Sequence, residues 1–229
     1  MLFRTTQNNF RKWFEVVLPK LGVKKTSFSK IFEYLDKLPD PIIIVETGCL
    51  RIKDNFEGDV QSTLLFDKYT QFRGNVEKVY TVDINPKSTK TCSEIVSQNV
   101  TITTEDSIGY LNRLTNQFYD EKKNVSFFYL DSFDVNWKSP AESCQHHLKE
   151  LVSIKKILNN DTLVVVDDSP IIGYLQQSIK IEKSLDLIPF GPVPSPAISG
   201  KGSLIHEYAS QTGAKLLFSN YQTGWIGFN

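Results

Sequence analysis

Five short apolar runs, each closed by polar or acidic residues, constrain this chain more than any other feature. Ile42-Ile43-Ile44-Val45 is continuous and β-branched, with none of the alternation of a half-exposed strand. Such a run fits a strand buried on both faces of a parallel sheet. Val79-Tyr80-Thr81-Val82, Val100-Thr101-Ile102, Val125 to Leu130 and Leu163 to Val166 repeat the pattern. Helical stretches lie between them: Gln61 to Phe72, Lys87 to Ser97, Ser107 to Gln117 and Ala141 to Leu158. Alternating strands and helices require right-handed crossovers, so the chain reads as α/β, a doubly wound and mostly parallel sheet with helices on both faces. Lys215 to Ser219 and Trp225 to Phe228, separated by a turn through Tyr221 to Gly224, add an antiparallel carboxyl-terminal hairpin and bring the sheet to seven strands.

Ahead of the first strand, Phe10, Trp13, Phe14, Val17, Leu18 and Leu21 recur at helical spacing, with Arg11, Lys12 and Glu15 on the other side. A second helix is expected from about Ser27 to Lys37, stopped by Pro39 and Pro41. The chain therefore divides into a helical segment, 1–39, packed on an α/β domain, 40–229. Late in that domain, Ile188 to Lys201 carries Pro189, Pro192, Pro194 and Pro196, which remove amide donors and rule out an inner strand. With Gly191, Gly200 and Gly202 as bends, and Phe190 and Val193 as an apolar wall, it is assigned to the substrate side, as a lid or as a static surface loop.

Composition narrows the function. At 40% hydrophobic and 12% aromatic residues, 229 residues can fill a core. Twenty-six basic and 26 acidic residues cancel, leaving no strong field to collect a phosphate backbone, so nucleic acid is not an expected partner. Cys49, Cys92 and Cys144 are odd in number and lack a C-x-x-C pair, which disfavours a zinc or disulfide framework and fits a reducing compartment. No run approaches the ~20 apolar residues of a membrane span, and the amino terminus lacks the apolar core of a signal peptide. The expectation is a cytoplasmic chain with a small-molecule substrate and no membrane partner; self-association stays open.

In open α/β sheets, ligands bind beyond the carboxyl ends of the strands. The first strand ends in Glu46-Thr47-Gly48-Cys49, where Gly48 permits a sharp turn and a close backbone approach. The amides of the helix that follows, beginning near Asp59, would face an anionic or polar ligand. The dinucleotide pattern G-x-G-x-x-G is absent. Asp83 closes the second strand, placed either to accept both hydroxyls of a ribose or to cap the next helix. Asp106 and Ser107, after the third strand, would meet an adenine amino group or cap a helix.

The fourth and fifth strands end in Asp131 and in Asp167-Asp168. If these two strands are neighbours, their ends lie about 5 Å apart and the three carboxylates crowd one cleft, with no lysine close by in sequence; otherwise they are helix caps and a solvated acid. Like charges at that range need a proton or a cation between them, and all-oxygen donors suit magnesium, calcium or manganese. His146 and His147 lie in a helix, pointing about 100° apart, so they do not easily share an ion; one of them serves as a substrate contact or base, or both are surface or satisfied core histidines.

Together, Val45-Glu46-Thr47-Gly48, Val82-Asp83, Glu105-Asp106-Ser107, Tyr129-Leu130-Asp131 and Val166-Asp167-Asp168 resemble the ordered motifs of class I S-adenosylmethionine-dependent methyltransferases. The resemblance spans about residues 40 to 229. Within that superfamily the chain is most similar to metal-dependent small-molecule O-methyltransferases of the catechol and macrolide-sugar types. It implies a Rossmann-like sheet binding S-adenosyl-L-methionine. Glu46, Gly48 and Cys49 would lie at the methionine part, Asp83 at the ribose, Asp106 and Ser107 at adenine, and Asp131 beside the cofactor. It also implies a magnesium or manganese ion on Asp131, Asp167 and Asp168, and catalytic roles for Asp131, His146 or His147. Two positions depart from the pattern: the glycine-rich loop is reduced to Gly48, and Asp134 stands near where catechol-type enzymes carry a lysine base.

A metal-bound hydroxyl would need no lysine; otherwise the base is elsewhere or activity is lost. Competing readings are a metal-independent methyltransferase of the same fold, a nucleotide-binding oxidoreductase, and a non-catalytic cofactor-binding module.

Overall fold

The computed structural model describes residues 2–58, 61–74, 78–171 and 197–228. Its sheet has seven strands among the described residues: β1 Ile43–Thr47, β2 Lys78–Asp83, β3 Val100–Thr104, β4 Phe127–Leu130, β5 Leu163–Val166, β6 Lys215–Ser219 and β7 Thr223–Ile226. Their order is β3-β2-β1-β4-β5-β7-β6. The first five run parallel, and β7 is antiparallel to both β5 and β6. This is the doubly wound sheet with a closing hairpin that the apolar runs imply. Strand order reverses between β1 and β4, which opens the crevice where such sheets bind ligands.

Seven α-helices flank the sheet among the described residues: α1 Leu2–Val17, α2 Lys25–Leu35, α3 Ser62–Arg73, α4 Pro86–Ser93, α5 Ser107–Asp120, α6 Ala141–Ile154 and α7 Ser203–Thr212. None is long and apolar enough to cross a membrane. Alternation along each strand divides the core in two. Ile44, Phe127, Tyr129, Leu163 and Val165 face the layer of α1, α2 and α3. Ile43, Val45, Phe128, Leu130, Val164 and Val166 face α5, α6 and α7.

The amino-terminal segment is sealed into the first layer by aromatic rings. Phe10 and Phe14 meet Phe32 edge-on, at 4.8 and 5.0 Å between centroids. Phe28 and Phe66 carry the contact down to Tyr129 of β4, at 5.9 and 5.4 Å. The helix expected to reach Leu21 stops at Val17. Pro19 disrupts the repeat, and a 3-10 turn, Leu18–Lys24, follows with a left-handed kink at Gly22 (φ +52°). Leu21 is still buried, and the turn delivers Lys24 to the sheet edge.

Two other boundaries shift for identifiable reasons. The fourth helix ends at Ser93 rather than Ser97, because Asp67 of α3 captures the amide and hydroxyl of Ser97 at 2.9 and 2.5 Å. The last strand begins earlier, at Thr223, where the Ser169 hydroxyl accepts its amide hydrogen at 3.1 Å. Of the expected lid, residues 188–196 lie outside the described residues. Just beyond them Ile198 bridges to Ile171, and the Gly200–Gly202 turn packs on the end of β5.

Candidate functional site

The β1–β2 edge is organised around Gly48. Its backbone is left-handed (φ +79°), and a Cβ there would stand 2.4 Å from the carbonyl oxygen of Asp131. Its amide bonds Val82 O at 2.8 Å. The next amides are engaged inside the protein too: Cys49 N–H donates to Asp83 at 3.3 Å, and Leu50 N–H to Thr63 Oγ1 at 3.0 Å. The loop therefore positions a carboxylate rather than presenting its amides. Asp83 also accepts from Asn85 N–H at 2.7 Å, which fixes both of its oxygens at the mouth of the crevice. Beside it Ile84 is 71% exposed, a large apolar side chain open to solvent next to a fixed anion.

Glu46 is engaged inside the protein. It is fully buried and accepts hydrogen bonds from Ser62 (2.5 Å), Thr63 (2.6 Å) and Thr81 (2.8 Å). It anchors β1 to α3 and β2 below the ligand edge. Asp106 takes the capping role weighed for it, accepting from Gly109 N–H at 2.9 Å. Ser107 turns toward α6, bonding His146 Nε2 at 2.9 Å and Ser132 Oγ at 3.3 Å.

That network leads to Glu150, a residue the sequence reading missed. Glu150 is buried and accepts from Ser132 (2.6 Å) and Thr47 (3.3 Å), with His146 Nε2 at 3.5 Å. Burial works to raise its pKa, but His146, His147 and the hydroxyls together hold it below the usual value. The available signal was spacing: Glu150 lies four residues after His146 and three after His147, on one helix face. His147 has no exposed surface, and burial lowers its pKa to about 4. Its Nδ1 pairs with Ser143 O at 2.8 Å. His147 is thus enclosed and held neutral, whereas His146 is half-buried and in contact with Ser107.

The three aspartates converge as their strand ends imply. Asp131 lies two residues beyond Tyr129, and Asp167 two beyond Val165, so both side chains fall on the α1–α3 side. With Leu130 paired to Val166, the carboxylates come level, and one oxygen from each of Asp131, Asp167 and Asp168 lies within 4.8 Å of the others. Asp168 holds a left-handed backbone (φ +41°), a strained conformation of the kind that collects at functional sites.

No lysine is close by in sequence, but the fold brings two from a distance. Lys24 Nζ meets Asp167 at 2.5 Å, and Lys201 Nζ pairs with both Asp131 and Asp168, the latter at 3.1 Å. Lys201 is fully buried. It arrives between two glycines because the backbone there presses on β5. A Cβ at Gly200 would stand 2.0 Å from Asp168 O, and one at Gly202 2.6 Å from Ser169 Cβ. Burial alone would lower both lysine pKa values, but the carboxylates outweigh it and hold both above the ordinary value. Burial also lifts Asp131 well above the usual carboxylate range, reinforced by the charge of Asp167. For Asp167 the two lysines prevail over burial and hold it below that range. Asp134, by contrast, lies in an exposed pair with Arg51 at 3.1 Å.

A small polar cavity of about 130 Å³ opens here, lined by Lys24, Arg51, Asp131, Asp167, Asp168 and Tyr221 among others. It has room for a hydroxylated group and a few waters, not for a nucleoside. The oxygens alone suit a hard divalent ion. With two ammonium groups seated among them they do not: a dication would bring a buried cluster of one net negative charge to net positive.

No family model matches the chain, and no curated protein matches it. Among solved structures, the N-methyltransferase NodS from Bradyrhizobium japonicum aligns at a TM-score of 0.50 with 5% identity, over 90% of this chain and 96% of that one. That likeness shows the fold. A SAM-dependent methyltransferase from Methanosarcina mazei (TM-score 0.44, 10% identity, 86% of this chain and 94% of that one) is a weaker match. So is the rRNA methyltransferase AviRa from Streptomyces viridochromogenes (0.42, 12%, 88% and 83%).

Proposed function

We propose that the chain is an S-adenosylmethionine-dependent methyltransferase that methylates a hydroxyl of a small molecule. The observation that carries this is Asp83: a carboxylate fixed by two backbone amides at the end of β2, beside the switch point and next to exposed Ile84. A carboxylate accepts from both hydroxyls of a ribose, and an apolar neighbour suits the face of a base. NodS, which shares the sheet, is an N-methyltransferase, which supports methyl transfer without choosing the accepting atom.

In this reading the cofactor supplies a methyl group on a sulfonium, already electrophilic. The chain's task is to orient an oxygen for in-line attack and to receive its proton. Asp83 and Ile84 hold the nucleoside, and Asp106 and Ser107 border it. The turn at Gly48 brings that edge against the backbone of Asp131. The acceptor enters the cavity at the β4–β5 ends. There the hydroxyl donates to Asp131 of the cavity lining, and Asp167 Oδ1, buried without a hydrogen-bond partner, is left to accept from a water or a second hydroxyl. Asp131, with its raised proton affinity, is the base.

A thermal-shift panel tests the reading. S-adenosylmethionine and S-adenosylhomocysteine should raise the melting temperature, and nicotinamide dinucleotides should not. A shift with the dinucleotides alone would favour the oxidoreductase reading and end this one.

A further inference from the structure

We propose that Lys24 and Lys201 are the resident cations of the Asp131–Asp167–Asp168 cluster and take the place of a divalent ion. The inference rests on the ion pairs and not on the methyl-transfer reading.

Each aspartate already has an ammonium partner: Lys24 on Asp167 at 2.5 Å, and Lys201 on Asp131 and, at 3.1 Å, on Asp168. The pairs are built, not incidental. Lys201 has no exposed surface, and glycines on both sides let its backbone press against Asp168 and Ser169. Lys24 is held from the opposite direction by the 3-10 turn, its Nζ also 5.5 Å from the centre of the Tyr221 ring. Two independent parts of the chain thus converge on the same three carboxylates. A buried carboxylate needs a charged partner or a metal, and here the chain supplies the partner. The oxygen left over, Asp167 Oδ1, needs only one neutral donor such as a hydroxyl.

The role follows from the geometry. Lys201 ties β4 to the end of β5 through Asp131 and Asp168, so it is a positioning residue for Asp131. Lys24 does the same for Asp167 and couples the amino-terminal segment to the cluster. A divalent ion entering among these oxygens would compete with ammonium groups already paired to all three carboxylates.

Calorimetric titration of the full chain with manganese chloride reads this directly, without cofactor or substrate. The wild-type chain should take up no manganese at millimolar ion. Lys201→Met removes one charge at similar volume and should bind the ion saturably below millimolar, whereas Lys201→Arg should, like wild type, take up none. Should Lys201→Met fail to fold, Lys24→Met serves in its place. Manganese uptake by the wild type that Asp168→Asn abolishes would overturn the proposal. So would a folded Lys→Met variant that still excludes the ion. Loss of the proposal in either way, with S-adenosylhomocysteine binding intact, would leave the methyl-transfer reading standing.

Discussion

Gly48 and Gly74 have nearly the same left-handed backbone, φ +79° and +82°, yet their surroundings differ completely. A Cβ at Gly74 meets nothing within 4 Å, whereas one at Gly48 runs into the carbonyl of Asp131. Conformational strain alone costs about 1 kcal/mol for alanine, so Gly74→Ala should lose roughly that in urea denaturation. Gly48→Ala must also move β1 away from β4 and should lose about 3 kcal/mol or more. Equal losses would remove the close approach from the explanation. The bend at Gly48 was legible in the sequence. Its reason was not, because it depends on β4 lying beside β1. The same holds for Gly200 and Gly202, read as bends around a lid but required by contact with Asp168 and Ser169.

Among the elements, the short turn between α1 and α2 has the largest effect for its size, because it seats Lys24 on Asp167. Breaking a buried pair leaves an uncompensated charge and costs about 3–5 kcal/mol, so Lys24→Ala should lower stability on that scale. Arg51 and Asp134 make an equally recognisable pair, but their side chains are 48% and 74% exposed. Arg51→Ala should therefore cost under about 1 kcal/mol. Chemical denaturation of both variants checks the contrast, and similar losses would contradict it. Sequence reading gave no warning of Lys24, which lies 143 residues from its partner. Only the layer assignment of α1 and α2, set by the packing of Phe10, Phe14 and Phe28, brings it there. The strands, in contrast, were legible to within about two residues at each end, most sharply at β5, whose run is buried throughout.

Across the whole molecule, buried ionisable groups make stability depend on pH. His147 is neutral in the fold with a pKa near 4, against about 6.5 when unfolded. The unfolded chain binds the extra proton between those values, so stability falls as pH drops from about 6.5 to about 4, by roughly 3 kcal/mol. Glu150 and Asp167, both held below their usual values, lose their contributions as they protonate in acid. His147→Asn should flatten the upper part of this fall, as read by urea denaturation at pH 7 and pH 5, and an unchanged slope would contradict the assignment.

The parallel sheet with its closing hairpin could be read from the sequence, and the meeting of the three aspartates followed once β4 and β5 are neighbours. The proton and charge balance around them could not, because Lys24, Lys201 and Glu150 reach their partners through tertiary packing. The central claim is that the β1–β2 edge binds S-adenosylmethionine through Asp83. Isothermal titration with S-adenosylhomocysteine tests it most directly. We expect saturable binding by the wild-type chain and affinity weaker by about tenfold or more for Asp83→Ala, since polar groups lose their partner, with the free variant still folded by circular dichroism. Absence of binding, or equal affinity for the two proteins, would contradict it.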